Sequence, residues 1–245
     1  MDAGLRILVL QHIACEPPGA YEDVLDARGA RLVRVELDEG EPLPDWRAFD
    51  AIVAMGGPMG VYEADAHPWL VPELSAIGEA VRAGTPYFGA CLGVKLLAAA
   101  LGARVYRGEE PEVGLLPVEL TAAAAADPVF AGFDPSVLTL QWHGDTFELP
   151  DGATLLASSR TYPHQAFRVG RAAYGIQFHL EVSAGLAAAW ADVPAYATAL
   201  ERVLGPGALE RLVGELADAA DELRDTARTV FERWLDRVAF PVEPL

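Results

Sequence analysis

Tyr87-Phe88-Gly89-Ala90-Cys91-Leu92-Gly93-Val94-Lys95-Leu96-Leu97 decides the fold of this chain. Thr85-Pro86 opens a short apolar strand, a sharp turn carries a cysteine at its tip, and a helix runs on through Ala98-Ala99-Ala100-Leu101. Gly89 and Gly93 stand two residues either side of Cys91, where strand and helix backbones come too close for a Cβ. The cysteine then sits at a helix N-terminus, where unpaired amides and the helix dipole favour a thiolate. A buried structural cysteine is the competing reading, but the two flanking glycines and the strand-to-helix switch favour a nucleophile.

Lys95 strengthens this. It is the one lysine among 18 basic residues, and it stands four residues after Cys91. Four residues are about one helical turn, so the two side chains share a face, and an ammonium there would stabilise a thiolate or hold a substrate carboxylate.

The chain of 245 residues is 52% hydrophobic, enough for one large or two small domains with a sizeable core. Its net charge of −18 argues against nucleic acid and against anionic membrane as partners. The two cysteines, Cys15 and Cys91, make no disulfide framework, and no zinc-type spacing occurs, so no metal is expected. No signal peptide is read at the N-terminus and no apolar run approaches the ~20 residues that span a bilayer, so the expectation is a soluble cytoplasmic protein.

Arg6 to His12, Arg31 to Glu36 and Asp50 to Met55 read as buried strands, with a helix ending near Ala27 before Gly29 and another from Asp65 to about Ala83 before Gly84. The alternation predicts a doubly wound parallel sheet, with chemistry at the carboxyl ends of its strands. The third strand runs into Gly56-Gly57-Pro58-Met59-Gly60-Val61-Tyr62, a turn able to present amides to an oxyanion and lacking the spacing of a phosphate loop. His67 reads as a surface residue at a helix start.

After the elbow helix, strands over 113–120, 136–142, 153–157, 165–169 and 173–178 follow one another without long helices, which predicts an antiparallel portion. Within it, His179 and Glu181 are two apart after an apolar strand. On extended chain they point to one side, so the carboxylate can orient the imidazole as the base a cysteine nucleophile needs. His143, beside Gly144 and Asp145 at another strand end, competes with His179 as the base, but substrate binding is the favoured reading there.

Four ordered motifs, Gly56-Gly57-Pro58-Met59-Gly60-Val61-Tyr62, Gly89-Ala90-Cys91-Leu92-Gly93, Gln141-Trp142-His143-Gly144-Asp145 and Phe178-His179-Leu180-Glu181, make the chain resemble the class I glutamine amidotransferases. The likeness is to the stand-alone subgroup similar to the amidotransferase domain of GMP synthase, over roughly residues 5 to 190. It implies a three-layer α/β fold, a mostly parallel, flavodoxin-like open sheet with flanking helices. It implies Cys91 as the nucleophile that forms a γ-glutamyl thioester, His179 as general base and acid, and Glu181 as its orienter. The amides of Gly57 and Leu92 would form the oxyanion hole, and Lys95, Trp142 and His143 would line the substrate pocket. The partners implied are glutamine or another γ-glutamyl small molecule and a separate ammonia-accepting synthetase; no cofactor is called for. The chain departs from the family where Lys95 replaces a glutamine that helps bind substrate glutamine, and where Leu180 replaces a proline.

A cysteine-bearing α/β-hydrolase shares the elbow, but its acid precedes the histidine by many residues, whereas Glu181 follows His179 by two. A γ-glutamyl-binding or partner-binding module without turnover is the non-enzymatic alternative; the intact Cys91, His179 and Glu181 argue against it. The expected division is an amidotransferase-like domain over 1–190 and a helical extension over 191–245. In the extension Leu209, Leu212, Leu216, Leu223, Val230, Trp234 and Val238 form an amphipathic stripe. The stripe is expected to pack on the domain, with a homodimer or synthetase contact as the alternative.

Overall fold

The structure, a computed structural model, describes residues 4–241. Nine strands form one mixed sheet in the order β2-β1-β3-β4-β9-β8-β7-β5-β6. β1 (Arg6–Gln11), β2 (Arg31–Glu36), β3 (Ala51–Ala54), β4 (Tyr87–Ala90) and β9 (Ala173–Ile176) run parallel. β8 (Ala166–Val169), β7 (Thr154–Ser158), β5 (Val105–Leu120) and β6 (Ser136–Phe147) continue the sheet antiparallel.

Side chains alternate across the strands, and both faces are covered. Ile7, Val9, Val53 and Phe88 face one apolar cluster, while Leu8, Leu10, Ile52 and Tyr87 face the other. Helices α2 (Leu70–Arg82) and α3 (Leu92–Ala100) cover the second face. Helix α1 (Ala20–Ala27) and the C-terminal helices cover the first, where Phe231 stacks on Tyr21 at 4.8 Å and meets Phe88 edge-on at 5.2 Å. Phe88 lies on the strand that carries the elbow, so the far C-terminal segment packs directly behind Cys91.

Several elements differ from the sequence reading. α2 begins at Leu70 rather than Asp65, because Pro68 supplies no N–H and holds His67 out of helical conformation; Pro72 falls in the first turn, where its missing donor costs nothing. β5 starts eight residues before the expected Val113, and β6 runs on to Phe147. α4 (Ala184–Trp190), capped by the Ser183 hydroxyl, was not anticipated. The long C-terminal run is α5 (Pro194–Leu204), α6 (Ala208–Asp218) and α7 (Ala220–Arg233), closing in a π-helical turn over Trp234–Ala239. Gly205 and Gly207, at φ 77° and 71°, turn the chain between α5 and α6. The stripe from Leu212 to Val238 is buried, and Leu209 is partly buried against the same core.

Candidate active site

The parallel strands β1, β3, β4 and β9 deliver their next residues to one place. β1 leads to His12, β3 to Gly56 and Gly57, β4 to Cys91, and β9 to Gln177 and His179. Cys91 has φ 52° and ψ −99°, and it is the one non-glycine residue with positive φ among the described residues. Such backbone strain persists only where surrounding structure enforces it. A Cβ on Gly93 would run into the Ala54 carbonyl, and one on Gly89 into the Gly93 backbone. Tyr87 Oη donates to Gly93 O at 2.7 Å, and Cys91 N donates to Ile176 O at 2.9 Å. The turn is therefore fixed by both neighbouring strands, and Leu92, as first residue of α3, has an N–H with no acceptor inside the helix.

His179 exchanges two backbone hydrogen bonds with Leu140 of β6, at 2.8 and 3.0 Å. Its Nδ1 meets Glu181 Oε1 at 2.6 Å, both side chains being buried. Glu181 is itself held by Leu180 N–H on Oε2 at 3.0 Å, and its carbonyl accepts from Ala20 at the start of α1. With Nδ1 on the carboxylate, Nε2 remains for the sulfur. Burial opposes the imidazolium, but the Glu181 charge and the charge and hydrogen bonding of the Cys91 sulfur raise the His179 pKa well above its ordinary value. Cys91, His179 and Glu181, singled out from the sequence, are thus brought together in one place.

Cys91, Lys95, Gly57, Trp142 and His143 border one pocket of about 320 Å³. Leu92 packs beneath it, with its side chain against Gly57. Lys95 is 4% exposed and pairs with no carboxylate among the described residues. His143 has both ring nitrogens occupied, Nδ1 by Asp145 O at 3.1 Å and Nε2 by Glu112 Oε2 at 3.3 Å. Burial together with the nearby Lys95 charge outweighs Glu112 and lowers the His143 pKa. The Glu112 pKa is also lowered: burial would raise it, and the His143 ring and the Ser159 hydroxyl more than offset that. Trp142 Nε1 donates to Tyr196 O at 3.2 Å, so the indole braces α5 and offers the pocket its ring rather than its N–H.

Several residues at the site were not anticipated. Gln177 Nε2 lies 3.7 Å from Cys91 Sγ. Glu16 is buried beside Gly56 and accepts from Tyr196 Oη, and burial raises its pKa against the opposing His179 charge. Tyr196, Thr198 and Arg202 of α5 wall the pocket, and Tyr62 Oη donates to Asp145 at 3.0 Å across its rim. His12 Nε2 meets Glu73 Oε1 at 2.8 Å, and its Nδ1 meets Gly56 O at 3.2 Å. The one available signal for His12 and Gln177 was their place at the carboxyl ends of parallel strands. Among the described residues no group of three or more His, Cys, Asp or Glu side chains could hold a metal ion. No helix there is long and apolar enough to cross a membrane.

The family description "Glutamine amidotransferase class-I" matches residues 22–189. The chain belongs to the class I glutamine amidotransferase family. Among relatives of this amidotransferase, the glutamine amidotransferase-like protein YfeJ of Salmonella typhimurium is 34% identical over 181 residues, 72% of this chain and 76% of that protein. A glutamine-hydrolyzing GMP synthase subunit of Sulfurisphaera tokodaii is 32% identical over 172 residues, 67% of this chain and 85% of its own. The crystal structure of a glutamine amidotransferase from Thermotoga maritima superposes with a TM-score of 0.85 at 32% identity, covering 96% of this chain and all of that one. The amidotransferase fold therefore extends over the C-terminal helices as well as the region of the family match.

Proposed function

We propose that this chain hydrolyses a γ-glutamyl amide through a thioester on Cys91 and releases ammonia or an amine, with ammonia passing to a separate acceptor enzyme. The observation that carries this reading is the strained Cys91 turn facing a buried His179–Glu181 pair. The thiolate attacks the γ-carbonyl carbon, and the carbonyl oxygen takes up the electron pair facing the Gly57 and Leu92 amides. His179 Nε2 gives its proton to the departing nitrogen as the C–N bond breaks. It then takes a proton from water, whose oxygen attacks the thioester carbon, and the thiolate leaves with γ-carboxylate as product. Glu181 holds the ring in the tautomer this requires.

Lys95 favours a particular substrate class. A buried ammonium without a protein carboxylate asks for an anionic group on the ligand, so a γ-glutamyl compound bearing a further carboxylate suits it better than glutamine. The test is ammonia and amine release from glutamine and a panel of γ-glutamyl compounds, for wild type, Cys91→Ala and Lys95→Gln. Release is expected in wild type and absent in Cys91→Ala. Lys95→Gln is expected to shift kcat/KM toward glutamine by about tenfold or more, the scale of losing one charged contact. Release that survives Cys91→Ala would overturn the thioester mechanism, and an unchanged preference in Lys95→Gln would overturn the substrate class.

A further inference from the structure

Besides His179–Glu181 and His143–Glu112, a third buried histidine-carboxylate pair holds the Gly56 carbonyl. His12 ends β1, Glu73 lies in the first turn of α2, and both side chains are fully buried. The ring nitrogens meet Glu73 Oε1 at 2.8 Å and Gly56 O at 3.2 Å, while Trp69 stacks on the ring with centroids 5.6 Å apart. Nothing in the acyl-transfer sequence above uses this pair. Its position relates it to the site through one peptide unit. The described residues contain no cis peptide bond, and a trans peptide is planar, with its C=O and N–H pointing in opposite directions. A donor that fixes the Gly56 carbonyl therefore fixes the Gly57 N–H, and Gly57 borders the Cys91 pocket.

We infer that His12, held by Glu73, is a positioning residue that locks the Gly56-Gly57 peptide so that the Gly57 N–H stays aimed at the oxyanion site. This rests on the reading of Cys91 as an acyl-transfer nucleophile. A Cβ at Gly56 would run into the Glu16 carboxylate, and one at Gly57 would lie 2.7 Å from Met59 Sδ, 2.9 Å from the Leu92 side chain and 3.0 Å from His12 Cβ, so a larger residue at either position would push its neighbours aside. The same two glycines leave the peptide free to rotate unless something holds it. Both ring nitrogens of His12 face oxygens, and a hydrogen on Nδ1 donated to the Gly56 carbonyl is the bond that holds the peptide. A hydrogen bond donated to the Gly56 carbonyl polarises that peptide and strengthens donation from the Gly57 N–H. Burial alone would discharge the ring; Glu73, the Gly56 carbonyl and Glu16 together raise its pKa instead.

The test compares His12→Leu with His12→Asn, each combined with Glu73→Gln so that no carboxylate is left unpaired in the core. The asparagine amide keeps a donor near the Nδ1 position and leucine does not. Three quantities are measured on folded protein: kcat and KM for the best γ-glutamyl substrate, affinity for a γ-glutamyl aldehyde, and the rate of Cys91 alkylation by iodoacetamide. The aldehyde forms a tetrahedral adduct that needs the oxyanion site, whereas alkylation forms no oxyanion. His12→Leu is expected to lower kcat and aldehyde affinity by about 10- to 100-fold, below the full loss of an oxyanion donor. KM and the alkylation rate stay within about twofold of wild type, and His12→Asn recovers most of the loss. Unchanged kcat in His12→Leu, a parallel fall in alkylation, or no recovery with asparagine would overturn the inference. If wild type neither turns over nor binds the aldehyde, the acyl-transfer reading fails, and this inference fails with it.

Discussion

Two buried histidine-carboxylate pairs flank the same cysteine turn. His179–Glu181 is closed at 2.6 Å and His12–Glu73 at 2.8 Å, and in each the histidine pKa is raised by its carboxylate against the effect of burial. They differ in what the second ring nitrogen meets: the Cys91 sulfur for His179, a backbone carbonyl for His12. A histidine beside a carboxylate is therefore not in itself a catalytic dyad. On the roles proposed above, the group on its far nitrogen decides whether it moves a proton or holds a peptide in place.

The most severe way to break this comparison is to remove each ring in turn. On the proposed mechanism His179→Ala removes the base and the proton donor together, and kcat is expected to fall on the order of 10⁴- to 10⁶-fold, as when a member of a triad acting as a unit is lost. Glu181→Gln keeps the volume but frees the tautomer, and a loss approaching 10⁴-fold is expected. Loss of the His12 ring should cost far less, because it leaves every reacting group in place. Steady-state rates across the three variants check the ranking. A His12 variant as inactive as His179→Ala would show that the two pairs are not different in kind.

The two pairs also differ in how visible they are in sequence. His179 and Glu181 are two residues apart on one strand extension, so strand geometry alone brings them together. His12 and Glu73 are 61 residues apart, and only the placement of α2 beside the end of β1 joins them. Glu73 falls inside the helix expected from Asp65 as one more acidic residue, and nothing local marks a carboxylate that is about to be buried. The elbow was legible because steric demand concentrates in Gly89, Cys91 and Gly93 within five residues. The wall that α5 adds to the pocket was not: Tyr196 and Arg202 belong to a stretch read as a packing extension, and α5 is held at the site by the brace from Trp142 and the Tyr196 bond to Glu16. The parallel strands were found from apolar runs. The amino-terminal part of β5 was not, since Arg107-Gly108-Glu109-Glu110 carries no strand pattern and its pairing with β6 is irregular there.

Selective alkylation sharpens the contrast at lower cost to the protein. Cys15 is the more exposed of the two thiols, and Cys91 is 3% exposed. If access alone governed reactivity, Cys15 would react first. Burial of its sulfur and the charge of Glu16 instead push the Cys15 thiol up to about 11, so at pH 8 only about one molecule in 10³ is thiolate. Cys91 faces the His179 imidazolium. Iodoacetamide is therefore expected to modify Cys91 at least tenfold faster, read by peptide mass spectrometry. His179→Ala should abolish that preference while His12→Leu with Glu73→Gln leaves it intact. Faster modification of Cys15 in wild type would mean that the histidine does not activate the sulfur.

The smallest effect is on stability, and there the His12–Glu73 pair is the one expected to show. A histidine whose folded pKa is raised stabilises the fold fully below its unfolded value of about 6.5 and loses that contribution as pH rises through the folded value. In that window the His12–Glu73 pair can contribute a slope of up to about 1.4 kcal/mol per pH unit, since the folded state holds one more proton than the unfolded chain, whereas a His179 proton taken from the Cys91 thiol leaves the count unchanged. The buried His143, with its pKa lowered, acts below pH 6.5 and with the opposite sign. The lowered Glu112 acts only at acid pH, where its contribution is lost as pH falls, and the Cys15 thiol begins to matter near pH 9. The net charge of −18 also opposes compactness, but the surface carboxylates are already ionised at pH 6.5 and the guanidinium groups stay charged, so that repulsion is nearly constant up to pH 8.5. Tm should therefore fall between pH 6.5 and 8.5, and the fall should be shallower in His12→Asn with Glu73→Gln. A variant slope equal to that of wild type would mean that the His12–Glu73 pair does not hold an extra proton, and its peptide would then be positioned by a neutral ring.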